Sequence, residues 1–92
     1  MHMPVLAHMI ADYYGYYSQK EKTVEELIEL SDTLLHYDYG GRCSREEVIE
    51  EMADVQIMLW QMKHLMGCEK EMKDMIMRKL LRQLRRIREE DQ

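Results

Sequence analysis

The feature that most restricts this chain is a carboxylate in an apolar setting. From Val48 to Met66 apolar residues recur at helical spacing, through Met52, Val55, Met58, Leu59, Met62 and Leu65. With an advance of about 100° per residue, Glu51, Val55, Met58, Met62 and Leu65 fall within one arc roughly 80° wide, and Asp54 lies at its edge. A carboxylate buried in such a stripe without a partner costs several kcal/mol or stays protonated. The pattern therefore calls for a compensating cation.

Glu51 and Asp54 stand three residues apart, neighbours on one helical face, and an earlier stretch repeats the arrangement with Glu26 and Glu29, preceded by Glu25. Around Glu26 the face is mixed, with Thr23, Leu30, Thr33 and Tyr37, while the clear apolar face of that helix (Val24, Leu27, Ile28, Ser31, Leu34, Leu35) points elsewhere. Two such acidic faces could hold a hard cation between them, and an all-oxygen donor set suits Mg2+ or Mn2+. A di-iron bundle needs Glu-x-x-His pairs, which His36 and His64 do not complete. Zinc lacks nitrogen and sulfur ligands beside these acids. Each histidine reads as a surface or rim residue. A helical hairpin with surface acids produces the same spacings by chance, and the place of Glu51 in the apolar stripe weighs against it.

Ten methionines, no phenylalanine, one proline and four glycines favour helix–helix seams over strands and tight turns, so the fold class is all-α. A first helix is expected within residues 1–17, opened by Pro4 and ended by the cluster Tyr13, Tyr14, Tyr16 and Tyr17 around Gly15. These tyrosines read as the cover of a small core, with base stacking as the alternative. Capping-box patterns at Ser18 and Thr23 compete for the second helix start. Glu26 is free to bind metal only if Thr23 is not the cap, so the helix is expected to run from Ser18 to about His36. A loop follows from Tyr37 to Cys43. The third helix starts at the Ser44-x-x-Glu47 box and stops at Gly67, and a fourth runs from Glu69 to about Glu89 on the spacing Met72, Ile76, Leu80, Leu84, Ile87.

A chain of 92 residues makes one domain, spanning 1–92, and buries too little surface to be comfortable alone, so a second copy is expected. The formal net charge of -5 argues against nucleic acid as a partner, although the C-terminal end is locally basic. Cys43 and Cys68 fit no zinc or redox spacing and read as free thiols in a reducing cytoplasm. No signal peptide or apolar run of membrane length is visible, so no membrane partner is expected.

A Mg2+ held by carboxylates keeps positions open for water and phosphate oxygens, which points to phosphate chemistry. Lys79 and Arg82, three apart on the basic helix, could supply donors to a polyphosphate. Read alone, that basic run is a solvated helix end that balances the helix dipole.

Glu25-Glu26-x-x-Glu29 and Glu51-x-x-Asp54, joined by a helix–loop–helix span, resemble the EExxE and ExxD motifs of the MazG-type all-α nucleoside triphosphate pyrophosphohydrolases. EEMADVQIMLWQM is similar to that family's EELADV-type segment, Tyr14-Gly15-Tyr16-Tyr17-Ser18-Gln19 to the element before the acidic helix in small phage-like members, and Lys79-Leu80-Leu81-Arg82 to the Lys-x-x-Arg of the last helix. The resemblance covers about residues 13–87. It implies a four-helix protomer that assembles into a helical-bundle dimer or tetramer. It implies Mg2+ on Glu26, Glu29, Glu51 and Asp54, with Glu25 as a further ligand or the base that orients water. It places Lys79 and Arg82 on the triphosphate, and Gln19 and Tyr14 near the nucleotide. The implied reaction is hydrolysis of a (d)NTP to (d)NMP and pyrophosphate in nucleotide-pool house-cleaning. No residue of the tyrosine-rich first helix aligns with a base-recognition position. A non-catalytic helical dimerisation or regulatory module is the alternative reading.

Overall fold

A computed structural model describes residues 2–38 and 41–91. They form four helices and no strand: α1 (Met3–Tyr14), α2 (Tyr16–Asp38), α3 (Arg45–Leu65) and α4 (Glu69–Glu90). Among the described residues no helix is long and apolar enough to cross a membrane.

The connections follow local chemistry. Pro4 sits in the first turn of α1, where its missing N–H costs nothing. Gly15, at φ +88° and ψ 169°, is the sole residue between α1 and α2 and occupies a region reserved for glycine. Ser44 caps α3, its Oγ accepting from the backbone N–H of Glu47 at 3.1 Å. Gly67, at φ +62°, ends the turn into α4.

The second helix starts earlier than the capping boxes suggest. α2 begins at Tyr16, directly after Gly15, so neither Ser18 nor Thr23 is its cap. Instead Thr23 Oγ1 donates back to the carbonyl of Gln19 at 2.6 Å, in mid-helix. Glu26 is thus free of capping duty. The helix also continues to Asp38, two residues into the expected loop, of which Tyr39 and Gly40 lie outside the described residues.

α2 packs most extensively against α3, α1 packs against α3 and touches α2 more lightly, and α4 meets α3 and, through Glu69, His8 of α1. The apolar core is small, made up of Ala7 and Ala11 of α1 and Val48, Val55 and Met58 of α3. α2 turns its polar side inward. Its buried residues are Gln19, Thr23, Glu26 and Thr33, while Val24, Leu27, Ile28, Leu34 and Leu35 face solvent. α4 buries no residue, and Ile76, Leu80, Leu84 and Ile87 lie open along it.

The tyrosines do not roof the core. Tyr13 and Tyr17 are each 80% exposed, because α1 and α2 meet their neighbours through Ala11 and Gln19 and leave the rings outside. The rings instead pair edge-to-face, Tyr13 with Tyr14 and Tyr16 with Tyr17. The radius of gyration is 16.4 Å, against about 12 Å for a compact domain of this length. The protruding α4 agrees with that difference.

Candidate metal centre

Glu26 on α2 and Glu51 and Asp54 on α3 converge, each offering an oxygen within 4.8 Å of the others. The three grade outward: Glu26 is buried, Glu51 half-buried and Asp54 exposed. Glu26 lies on the inward side of α2 with Thr23 and Thr33, whose hydroxyls are satisfied by carbonyls one turn back. Glu51 sits one turn before Val55 in the stripe that α3 turns into the protein.

The electrostatics are unbalanced. Glu26 Oε2 and Glu51 Oε2 are both buried without a hydrogen-bond partner. Loss of solvation raises the Glu51 carboxyl above its ordinary value, and the charges of Glu29, Asp54 and Glu26 add to the shift. Lys22 Nζ, 3.4 Å from Glu26 Oε1, offsets part of this charge, but it is itself mostly exposed. Carboxylate oxygens that converge in this way could hold a hard cation.

Beside these acids lies a cleft of about 470 Å³, lined by Tyr14, Gln19, Glu26, Asp54, Ile57 and Met58 among others. Gln19 Nε2 donates to Gln61 Oε1 at 2.6 Å across the α2–α3 seam, both side chains buried.

Comparison with family models, characterised proteins and solved structures finds no match to this chain.

Of the residues singled out in the sequence, the fold gathers Glu26, Glu51 and Asp54 into one cluster, with Glu29 beside Glu51. It sets Tyr14 and Gln19 on the adjoining cleft. Glu25 is exposed on α2 and is not among the carboxylates that act on Glu51. Lys79 and Arg82 share a groove on α4 with Met75, Arg78 and Arg85 and do not line the cleft. Among the described residues neither forms an ion pair. Lys22 and Gln61 escaped sequence reading. The spacing of Lys22 four residues before Glu26 was the available signal for the first. A glutamine on the apolar side of α3 was the signal for the second.

Proposed function

We propose that this protein is a Mg2+-dependent nucleoside triphosphate pyrophosphohydrolase of the MazG type, which hydrolyses a (d)NTP to (d)NMP and pyrophosphate in the nucleotide pool. The observation that carries the reading is the pair of orphaned buried oxygens, Glu26 Oε2 and Glu51 Oε2, in a carboxylate cluster that opens on a half-apolar cleft.

The donor set fits the cation. Glu26, Glu51 and Asp54 would hold it, with Glu29 close enough to join, and every donor is a hard oxygen. Bound there, Mg2+ or Mn2+ supplies charge neutralisation on the polyphosphate and acidifies water. Tyr14, Ile57 and Met58 offer flat and apolar surface to a base, and Gln19 and Gln61 offer amide groups at the cleft wall. In the reaction, water adds to the α-phosphorus as the bond to the bridging oxygen breaks. The proton passes to a carboxylate, for which Glu25 is the candidate by resemblance.

Lys79 and Arg82 fit this scheme through a second copy. The open apolar faces of α2 and α4 support a homodimer or tetramer, in which one protomer's α4 could bring basic residues to its neighbour's cleft. The same exposed faces favour a second reading, a helical dimerisation module without turnover.

Pyrophosphate release from a panel of (d)NTPs with Mg2+ tests the proposal. Turnover of at least one nucleotide, lost in Glu51→Gln, is the expected result. No release with either Mg2+ or Mn2+ would sink it and leave the dimerisation module.

A further inference from the structure

We propose that His8, His64 and Glu69 form a second metal site, for a divalent transition ion of the Zn2+ class, that fastens the start of α4 to α1 and α3. It is independent of the acidic cluster in position and in chemistry.

The three residues come from α1, α3 and α4, and each offers a ligand atom within 4.8 Å of the others. Glu69 Oε1 lies 3.5 Å from His8 Nε2 and 3.8 Å from His64 Nδ1. Two ligands about 2.05 Å from a tetrahedral ion stand about 3.3 Å apart. A contraction of a few tenths of an ångström brings each histidine nitrogen to that spacing from Glu69.

The surrounding contacts prepare both imidazoles. His64 Nε2 lies 2.8 Å from Asp12 Oδ1, and a proton held there leaves the Nδ1 lone pair free toward Glu69. A carboxylate behind a histidine in this way orients a metal ligand and raises its basicity. His8 Nε2 is buried and has no hydrogen-bond partner. The two rings stack with centroids 4.2 Å apart and planes 7° from parallel. Ligation requires them to splay into a V, and both side chains are exposed enough (24% and 29%) to tilt.

Two imidazole nitrogens and one carboxylate select zinc, cobalt or nickel over magnesium, and three protein ligands leave a fourth position to water. The location gives the ion a structural task. Glu69 is the first residue of α4, just past the Gly67 turn, and α4 buries no residue of its own. A bond to Glu69 fixes an elbow that packing leaves weakly held.

The test is titration of the metal-stripped, untagged protein with Co2+ in excess Mg2+, followed by visible absorption. One equivalent of Co2+ with the intense visible bands of a tetrahedral site, displaced by Zn2+ and retained in Glu51→Gln, is expected. His8→Ala and His64→Ala should each weaken binding at least tenfold, and so should Glu69→Gln, an exposed change that leaves folding intact. Circular-dichroism melting in metal-free buffer identifies any histidine variant that fails to fold, and Glu69→Gln then decides. The proposal is overturned by absence of tetrahedral bands, by undiminished binding in Glu69→Gln, or by loss of binding in Glu51→Gln. A near-ultraviolet thiolate charge-transfer band would move the ion to Cys43 or Cys68 and overturn it as well.

Discussion

Gln19 and Gln61 are joined side chain to side chain at 2.6 Å, across the seam of α2 and α3, and are only 3% and 2% exposed. A buried amide that loses its partner costs about 1 to 3 kcal/mol, whereas replacing both partners by apolar groups of similar shape is nearly neutral. Gln61→Leu should therefore destabilise the protein by about that amount. Gln19→Leu combined with Gln61→Leu should recover most of the loss. Urea unfolding of both variants checks this, and non-additivity in the double-mutant cycle is the signature. Nucleotide turnover by the double variant then separates the structural duty of this pair from any duty toward substrate. A folded but inactive protein would mean that at least one of the two amides serves the substrate as well as the seam.

The acidic cluster sets a pH dependence of definite sign. The Glu51 carboxyl is raised above its ordinary 4.5, first by loss of solvation and then by Glu29, Asp54 and Glu26. Folding thus favours the protonated form, and the contribution is present below the unfolded value and lost as pH climbs through the raised one. Metal-free protein should lose stability from this group as pH rises from about 4 toward 7, and Glu51→Gln should not show that loss. Mg2+ favours the ionised carboxylate and should reverse the trend in the wild type alone. Unfolding curves over this range, with and without Mg2+, measure both effects.

A preformed cation site stabilises the native state by an amount that grows with the logarithm of the free ion concentration once that exceeds Kd. At a hundred times Kd the gain is about 2.7 kcal/mol, so the melting temperature should climb with Mg2+. Glu51→Ala should flatten the response, because it removes one of three converging oxygens. An unchanged melting curve in millimolar Mg2+ would count against a site that exists before nucleotide arrives.

Charge placed on the open stripe of α4 should act on assembly and not on the fold. Leu80 and Leu84 are 57% and 55% exposed in the single chain, so Leu80→Glu with Leu84→Glu disturbs no core contact. Sedimentation should show the wild type as an oligomer and the double variant as a helical monomer. A wild type that sediments as a monomer would remove the reason for proposing a second copy.

Much of this architecture is written in periodicity. The spacing of α3 and α4, the Ser44 cap and the Gly67 stop are local signals, and the structure places the helix ends within two residues of them. The place of Glu51 in an apolar stripe was equally legible, because a single helix determines which of its residues share a face. What hydropathy alone could not supply is which face of α2 meets α3; the acidic spacing pointed to the Glu26 side. Val24, Leu27 and Ile28 are the obvious candidates by hydropathy, yet the fold buries Thr23 and Glu26 instead. Hydropathy ranks faces by their transfer from water and says nothing about neighbours. The pairing of His8 with His64 was hidden for a similar reason, since it depends on how α1 crosses α3.

Gly15 is the whole connection between α1 and α2. A joint of one residue confines any change in the angle between α1 and α2 to the backbone dihedrals around Gly15. Ile10 and Tyr14, on one side of the joint, and Gln19 and Lys22, on the other, line the same cleft. The width of that cleft is therefore a backbone property, set by the angle at Gly15. Inserting even one residue after Gly15 would redraw its shape more thoroughly than exchanging any side chain in it.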